Sequence, residues 1–313
     1  MHTILKKVKF RTLSPLIIRL LDLILGKRGT NNKNFPDPFF IIGSGRNGST
    51  LLGAMLNNNN KLFLPPEQYV IGYSLLKWRL KRHKSWEDIC DEIIGDYQLE
   101  KNTCNWNLSL EEVKNQMHNL PKNKRNFANI IGALFNFYGQ SKNSTFTLYG
   151  DQSPITTHFS KQLADEFPSS KFIVLVRDPR DVVLSYSKIK NHPANQLKYA
   201  LWKWKDSIAM LDYLTNKNKE NVHLVKYEKL VSEPQTVLMA ICNFLSVKYD
   251  KTMLNTTNAS ELLGVSQLAI HTNLNNTINT SSIGKWKQEL GKDDIKKINK
   301  ETLDYRNRFG YTD

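Results

Sequence analysis

The feature that most constrains this chain is a short apolar run, Pro38-Phe-Phe-Ile-Ile-Gly43, that leads without a break into Gly43-Ser-Gly-Arg-Asn-Gly-Ser-Thr50. Bulky and β-branched residues with no polar alternation read as a strand buried on both faces. From Gly48 onward Leu51, Leu52, Met55 and Leu56 recur at helical spacing until a run of asparagines, 57 to 60, stops the helix. The unit is strand, glycine-rich loop, helix. Such units build parallel sheets whose ligands bind at the carboxyl ends of the strands.

Two later segments repeat the pattern. Lys171-Phe-Ile-Val-Leu-Val-Arg177 reads as a second buried strand, and Asp178-Pro179 behind it suits an N-cap and a first helical position, opening a helix to about residue 190. Asn221-Val-His-Leu-Val-Lys-Tyr227 is a third strand, followed by a helical stretch over 233–245. The fold class expected is α/β, three layers around a central parallel sheet. Residues 71–145 carry many charges and helical stretches such as Ser109-Leu-Glu-Glu-Val-Lys, and are expected to form a helical insertion over the site. The chain then divides into an N-terminal segment and linker, 1–35, and one domain, 36–313, which is long enough for a substantial core.

The loop binds anions by simple physics. Backbone N–H groups at a helix N-terminus point at the ligand, and the helix dipole favours negative charge. Asn47, Gly48, Ser49 and Thr50 line that end, and Arg46 adds a permanent cation with a donor fork suited to phosphate or sulfate. Gly43 and Gly48 give the P-loop outline, but Ser49 stands where nucleotide-hydrolysing proteins carry lysine, which disfavours a plain NTPase.

This loop resembles the 5′-phosphosulfate motif of sulfotransferases that use 3′-phosphoadenosine-5′-phosphosulfate (PAPS), a family with a P-loop-type fold. Ile173-Val-Leu-Val-Arg-Asp-Pro-Arg-Asp-Val-Val-Leu-Ser-Tyr-Ser187 is similar to the family's 3′-phosphate segment, which implies Arg177 and Ser185 as its contacts. The arginine leaves a strand end and the serine lies about two turns into the next helix, on a side that can face the same pocket. Tyr227 matches a residue near the adenine, and Ser281-Ser-Ile-Gly-Lys-Trp-Lys287 resembles a C-terminal loop folding over the nucleotide, implying Ser282 and Lys285. The resemblance implies PAPS as sulfuryl donor and no metal. Glu67, in Leu64-Pro-Pro-Glu-Gln68, resembles the glutamate base of the Golgi-type tyrosine and polysaccharide members; His158 is the rival, since cytosolic members use histidine. Many relatives carry a charge-stabilising lysine where this chain has Gln152, so Arg46 is expected to carry more of that work.

Net charge is +15, of which the first 35 residues hold +7, from eight Lys/Arg and Asp22. The basic remainder suits a polyanionic donor or an acidic acceptor, and no zinc-knuckle or RNA-binding motif supports nucleic acid. A carbohydrate hydroxyl is the expected acceptor. Cys90, Cys104 and Cys242 lack metal or redox spacing and read as buried thiols of a reducing compartment. The apolar stretch 13–25 carries Arg19 and Asp22 and is short for a membrane span, leaving two readings, a helix packed on the domain or a peripheral membrane contact through residues 1–28. The expected location is cytoplasmic. Two rivals stand beside the enzyme: a P-loop kinase using Asp178 for magnesium, and a non-catalytic PAPS-fold protein at a membrane.

Overall fold

A computed structural model describes residues 32–99, 106, 108–142, 144–189, 192–256 and 278–312. The N-terminal stretch 1–31 and Cys104 lie outside the described residues, and with them the membrane-contact reading of 1–28. No helix among the described residues is long and apolar enough to cross a membrane.

Five strands form one parallel sheet: β1 (Phe39–Gly43), β2 (Leu62–Phe63), β3 (Leu148–Asp151), β4 (Phe172–Val176) and β5 (Val222–Lys226), in the order β2-β3-β1-β4-β5. Register pairs Phe40 with Phe172 and Ile42 with Val174. Both β1 and β4 are buried at every position, as unbroken apolar runs must be when helices cover both faces. The two-residue period of a strand then sorts their side chains. Phe39, Ile41, Ile173 and Leu175 enter one core with Leu52, Met55 and Leu56 of α1 (Ser49–Asn57) and with Leu238, Ile241 and Leu245 of the C-terminal part of the sheet's cover. Phe40, Ile42, Phe172, Val174 and Val176 enter the other, larger core.

That larger core holds four helices filling most of residues 71–141: α2 (Ile71–Leu80), α3 (Trp86–Leu99), α4 (Glu111–His118) and α5 (Phe127–Ser141). They share it with α6 (Ser160–Glu166), α7 (Pro179–Ser187) and α8 (Leu197–Lys217). Three layers result. After β5 come α9 (Tyr227–Ser232), α10 (Pro234–Leu245), the short α11 (Trp286–Glu289) and α12 (Lys292–Phe309). Cys90 and Cys242 are buried free thiols.

The sheet positions the site through its order. Strand β1 has β3 on one side and β4 on the other, so the chain leaves β1 at a switch point where neighbouring loops part and open a crevice. The loop 43–48, the end of β3, and Arg177 and Tyr227 beyond β4 and β5 all emerge on that edge.

Candidate active site

The glycine-rich loop takes a path that side chains resist. Gly45, Arg46 and Gly48 all have left-handed φ, 74°, 54° and 93°. A Cβ on Gly45 would stand 2.3 Å from the Tyr186 hydroxyl, and one on Gly48 2.5 Å from the Tyr227 ring. Both glycines are therefore required by contact as well as by conformation. Arg46 adopts the same region with a side chain, a strained choice of the kind found where function holds the backbone.

Three of the expected anion-binding side chains converge on this loop. The Arg46 Nε donates to Ser185 Oγ at 3.1 Å, and Arg177 Nη1 donates to the Arg46 carbonyl at 3.1 Å. Arg177 Nη2 donates to the Ser282 carbonyl at 2.6 Å, and its guanidinium lies 4.3 Å from the centre of the Tyr227 ring. The helix serine thus meets the loop across 139 residues of chain and the strand-end arginine meets it across 131. The Nε of Arg177 is buried and lacks a hydrogen-bond partner among the described residues, in a residue only 8% exposed. A buried charged donor left open fits an anionic ligand. Burial lowers the pKa of Arg46, with Arg177 adding to the effect and Tyr186, Glu67 and Tyr69 opposing it.

The first intrahelical bond of α1 runs from Leu52 N to the Gly48 carbonyl, so the amides of Ser49 and Thr50 face out of the helix end, toward where an anion would lie. The Asn47 side chain anchors the loop. Its Nδ2 donates to the Leu175 carbonyl at 2.6 Å, tying the loop to β4. Lys285 stands exposed, and its charge acts on Glu289, whereas Ser282 meets Arg177 through its backbone.

Glu67 sits in the proline turn after β2, which is clamped at both ends. Asn57 exchanges two hydrogen bonds with Leu64, at 2.8 and 2.7 Å, and Gln68 N donates to Ser153 Oγ at 3.2 Å. The Tyr69 hydroxyl donates to Glu67 Oε2 at 2.8 Å. Burial pushes the half-buried Glu67 carboxyl up to about 7, with the nearby Asp151 charge in the same direction, while the Tyr69 hydrogen bond and Arg46 hold it down. Base candidate and loop cation are thus within electrostatic reach of each other.

His158 is held by an acid and an aromatic ring on α8. It is 6% exposed, its Nδ1 lies 2.6 Å from Asp206 Oδ2 on α8, and its ring stacks on Trp202 at 5.2 Å. Gln152 lies against α1, where a Cβ on Gly53 would come 1.6 Å from its Oε1, and neither amide atom has a partner among the described residues. It brings no charge to the loop. Asp178 caps α7 through Arg180 N at 2.8 Å and pairs with the Arg180 guanidinium at 2.8 Å, so the carboxylate a kinase would want for magnesium is already spent.

Sequence reasoning missed Tyr69, Tyr186 and Asp151. Tyr186 donates to the Ser44 carbonyl at 2.7 Å and packs on Gly45, so it props the loop. Asp151 accepts from Ser153 N and Oγ and from Thr156 Oγ1, and burial raises it to about 6. Tyr186 stands next to Ser185, Asp151 next to Gln152 and Tyr69 two residues past Glu67, so nearness to the motifs is the only local signal for any of them.

Known proteins resemble this chain over much of its length. The sequence model of the Sulfotransferase family matches residues 38–251. Protein-tyrosine sulfotransferase A of Caenorhabditis elegans is 24% identical over 249 residues, 73% of this chain and 55% of that protein. Protein-tyrosine sulfotransferase 2 of Gallus gallus is 30% identical over 148 residues, 44% of this chain and 39% of that one. The chain spans about half the length, or less, of these relatives. The solved sulfotransferase domain from the curacin biosynthetic pathway superposes with a TM-score of 0.57 at 23% identity, over 86% of this chain and 98% of that domain, a likeness of fold.

Proposed function

The chain belongs to the sulfotransferase family, and on that premise we propose that it moves the sulfuryl group of PAPS to an acceptor hydroxyl between Arg46 and Glu67. PAPS supplies an activated sulfuryl group on a phosphate leaving group. The acceptor O–H gives its proton to a Glu67 carboxylate oxygen as its oxygen bonds to sulfur, and the S–O bond to the 5′-phosphate breaks, releasing 3′-phosphoadenosine-5′-phosphate (PAP). Arg46, Ser49, Thr50 and the N-terminus of α1 hold the charge on the 5′ side, and Arg177 with Ser185 takes the 3′-phosphate.

The observation that carries this reading is Glu67, a half-buried carboxylate raised to about 7, oriented by Tyr69 and set against the cation of the phosphate loop. A general base works best when its pKa lies near the working pH. A protein that only bound the nucleotide would need no such base.

For the acceptor we infer a tyrosyl phenol in a peptide. Both relatives named above are protein-tyrosine sulfotransferases. A base near 7 is also closer to a phenol, whose pKa is about 10, than to an aliphatic alcohol. The sugar hydroxyl expected from sequence becomes the second reading, favoured by the exposed Tyr199 and Trp202 on α8, whose flat faces suit a ring. Transfer of labelled sulfate from PAPS to tyrosine peptides and to a polysaccharide panel tests both. Sulfation of neither, by protein that binds PAP, would refute the enzyme reading.

A further inference from the structure

We infer that Asp181 is a positioning residue for nucleotide selectivity: it latches the loop 281–286 across Arg177, and so sets how well the site distinguishes a 3′-phosphate. The inference rests on the sulfotransferase reading and adds to it a residue with no contact to the reacting atoms.

Asp181 occupies the first turn of α7, three residues past the Asp178 N-cap. It is 1% exposed, and both of its carboxylate oxygens are used by one distant segment. Oδ2 accepts from Gly284 N at 2.8 Å and Oδ1 from Trp286 N at 3.1 Å, more than 100 residues away. Gly284 has φ of 71°, the turn that presents both amides to a single carboxylate. A buried carboxylate is tolerated only with such donors, so the loop and the aspartate specify each other.

The neighbours of Asp181 complete the attachment. Arg180 lies 3.7 Å from the centre of the Trp286 ring, itself 6% exposed. Arg177 donates from Nη2 to the Ser282 carbonyl and from Nη1 to the Arg46 carbonyl, which links the latched loop to the phosphate loop through one guanidinium. Freed from Asp181, the Ser282 carbonyl would no longer be held where it fixes that guanidinium. Arg177 would keep its charge but lose its aim.

The test uses the full chain and the Asp181→Asn variant, which keeps the shape but turns one acceptor into a donor facing an N–H. Calorimetry with PAP and with AMP reads the two phosphates separately. The expected result is a loss of about tenfold in PAP affinity, the worth of one charge-assisted hydrogen bond, with AMP affinity unchanged. Hydrogen exchange at the Gly284 and Trp286 amides should be slow in the wild type and fast in the variant. An unchanged ratio of PAP to AMP affinity in the variant overturns the latch alone. A wild type that does not prefer PAP overturns the 3′-phosphate assignment and the latch together. Should the variant not fold, rapid exchange of those two amides in the wild type is by itself enough to refute the proposal.

Discussion

Replacing Glu67 by Gln separates chemistry from stability in a way that only a perturbed base predicts. The glutamine keeps size and can still accept from Tyr69, whose hydroxyl lies 2.8 Å from Oε2, but it cannot take the acceptor's proton. Loss of a positioned general base should lower kcat by about 10²–10⁴-fold, with PAP affinity little changed. Stability should move in the opposite direction. In the folded protein burial holds the Glu67 carboxyl at about 7, against the ordinary value of 4.5. Below pH 4.5 the group is protonated in both states and contributes nothing. Between 4.5 and 7 the unfolded chain releases the proton while the folded chain retains it, so wild-type stability falls as pH rises, and the deficit is complete above 7. A gap of about 2.5 in pKa, at roughly 1.4 kcal/mol each, makes that deficit about 3–3.5 kcal/mol. Glu67→Gln removes it. Denaturant unfolding of both proteins at pH 5 and pH 8 should therefore show the variant gaining on the wild type by up to about 3 kcal/mol at the higher pH, while labelled-sulfate transfer nearly vanishes. A variant with a constant stability difference across that range, or with wild-type turnover, would refute the assignment of a buried, functional base.

In the wild type the same carboxyl should give kcat/KM an acid limb near pH 7, falling about tenfold for each further pH unit, as initial rates across pH would show. Arg46→Ala should lower transfer by about 10²–10³-fold in a folded protein, checked by the same assay beside circular dichroism; substantial activity would remove the loop from its role. Arg177→Ala should cost about 1.5–3 kcal/mol of PAP binding and spare AMP, since it deletes the charged donors of the 3′ site; calorimetry with both nucleotides decides. His158→Asn should leave turnover within a fewfold and reduce stability by about 1–3 kcal/mol, because it disturbs the buried contact with Asp206. A dead but stable histidine variant would move the base to His158.

The strands, the phosphate loop and the cap of α7 were legible because each depends on neighbours in sequence. Unbroken apolar runs specify strands buried on both faces, two glycines five apart ahead of a helix specify a P-loop outline, and Asp178-Pro179 specifies a helix start, and β1, β4 and α7 follow within about three residues. The motif order also foretold that Arg46, Arg177 and Ser185 lie together, because parallel strands carry their loops to the same edge. What sequence could not decide were contacts made by segments far apart. Gln152 reads as a substitute for a catalytic lysine, yet just past β3 its side chain is buried against Gly53 of α1. Nothing near His158 in sequence announces that α8 brings Asp206 to its ring, and Asp181 is an unremarked acidic residue in a helix until residues 284 and 286 return to it. The pKa of Glu67 belongs to this second class. It arises from burial, from Asp151 and from Arg46, which only the tertiary fold assembles around one carboxyl group.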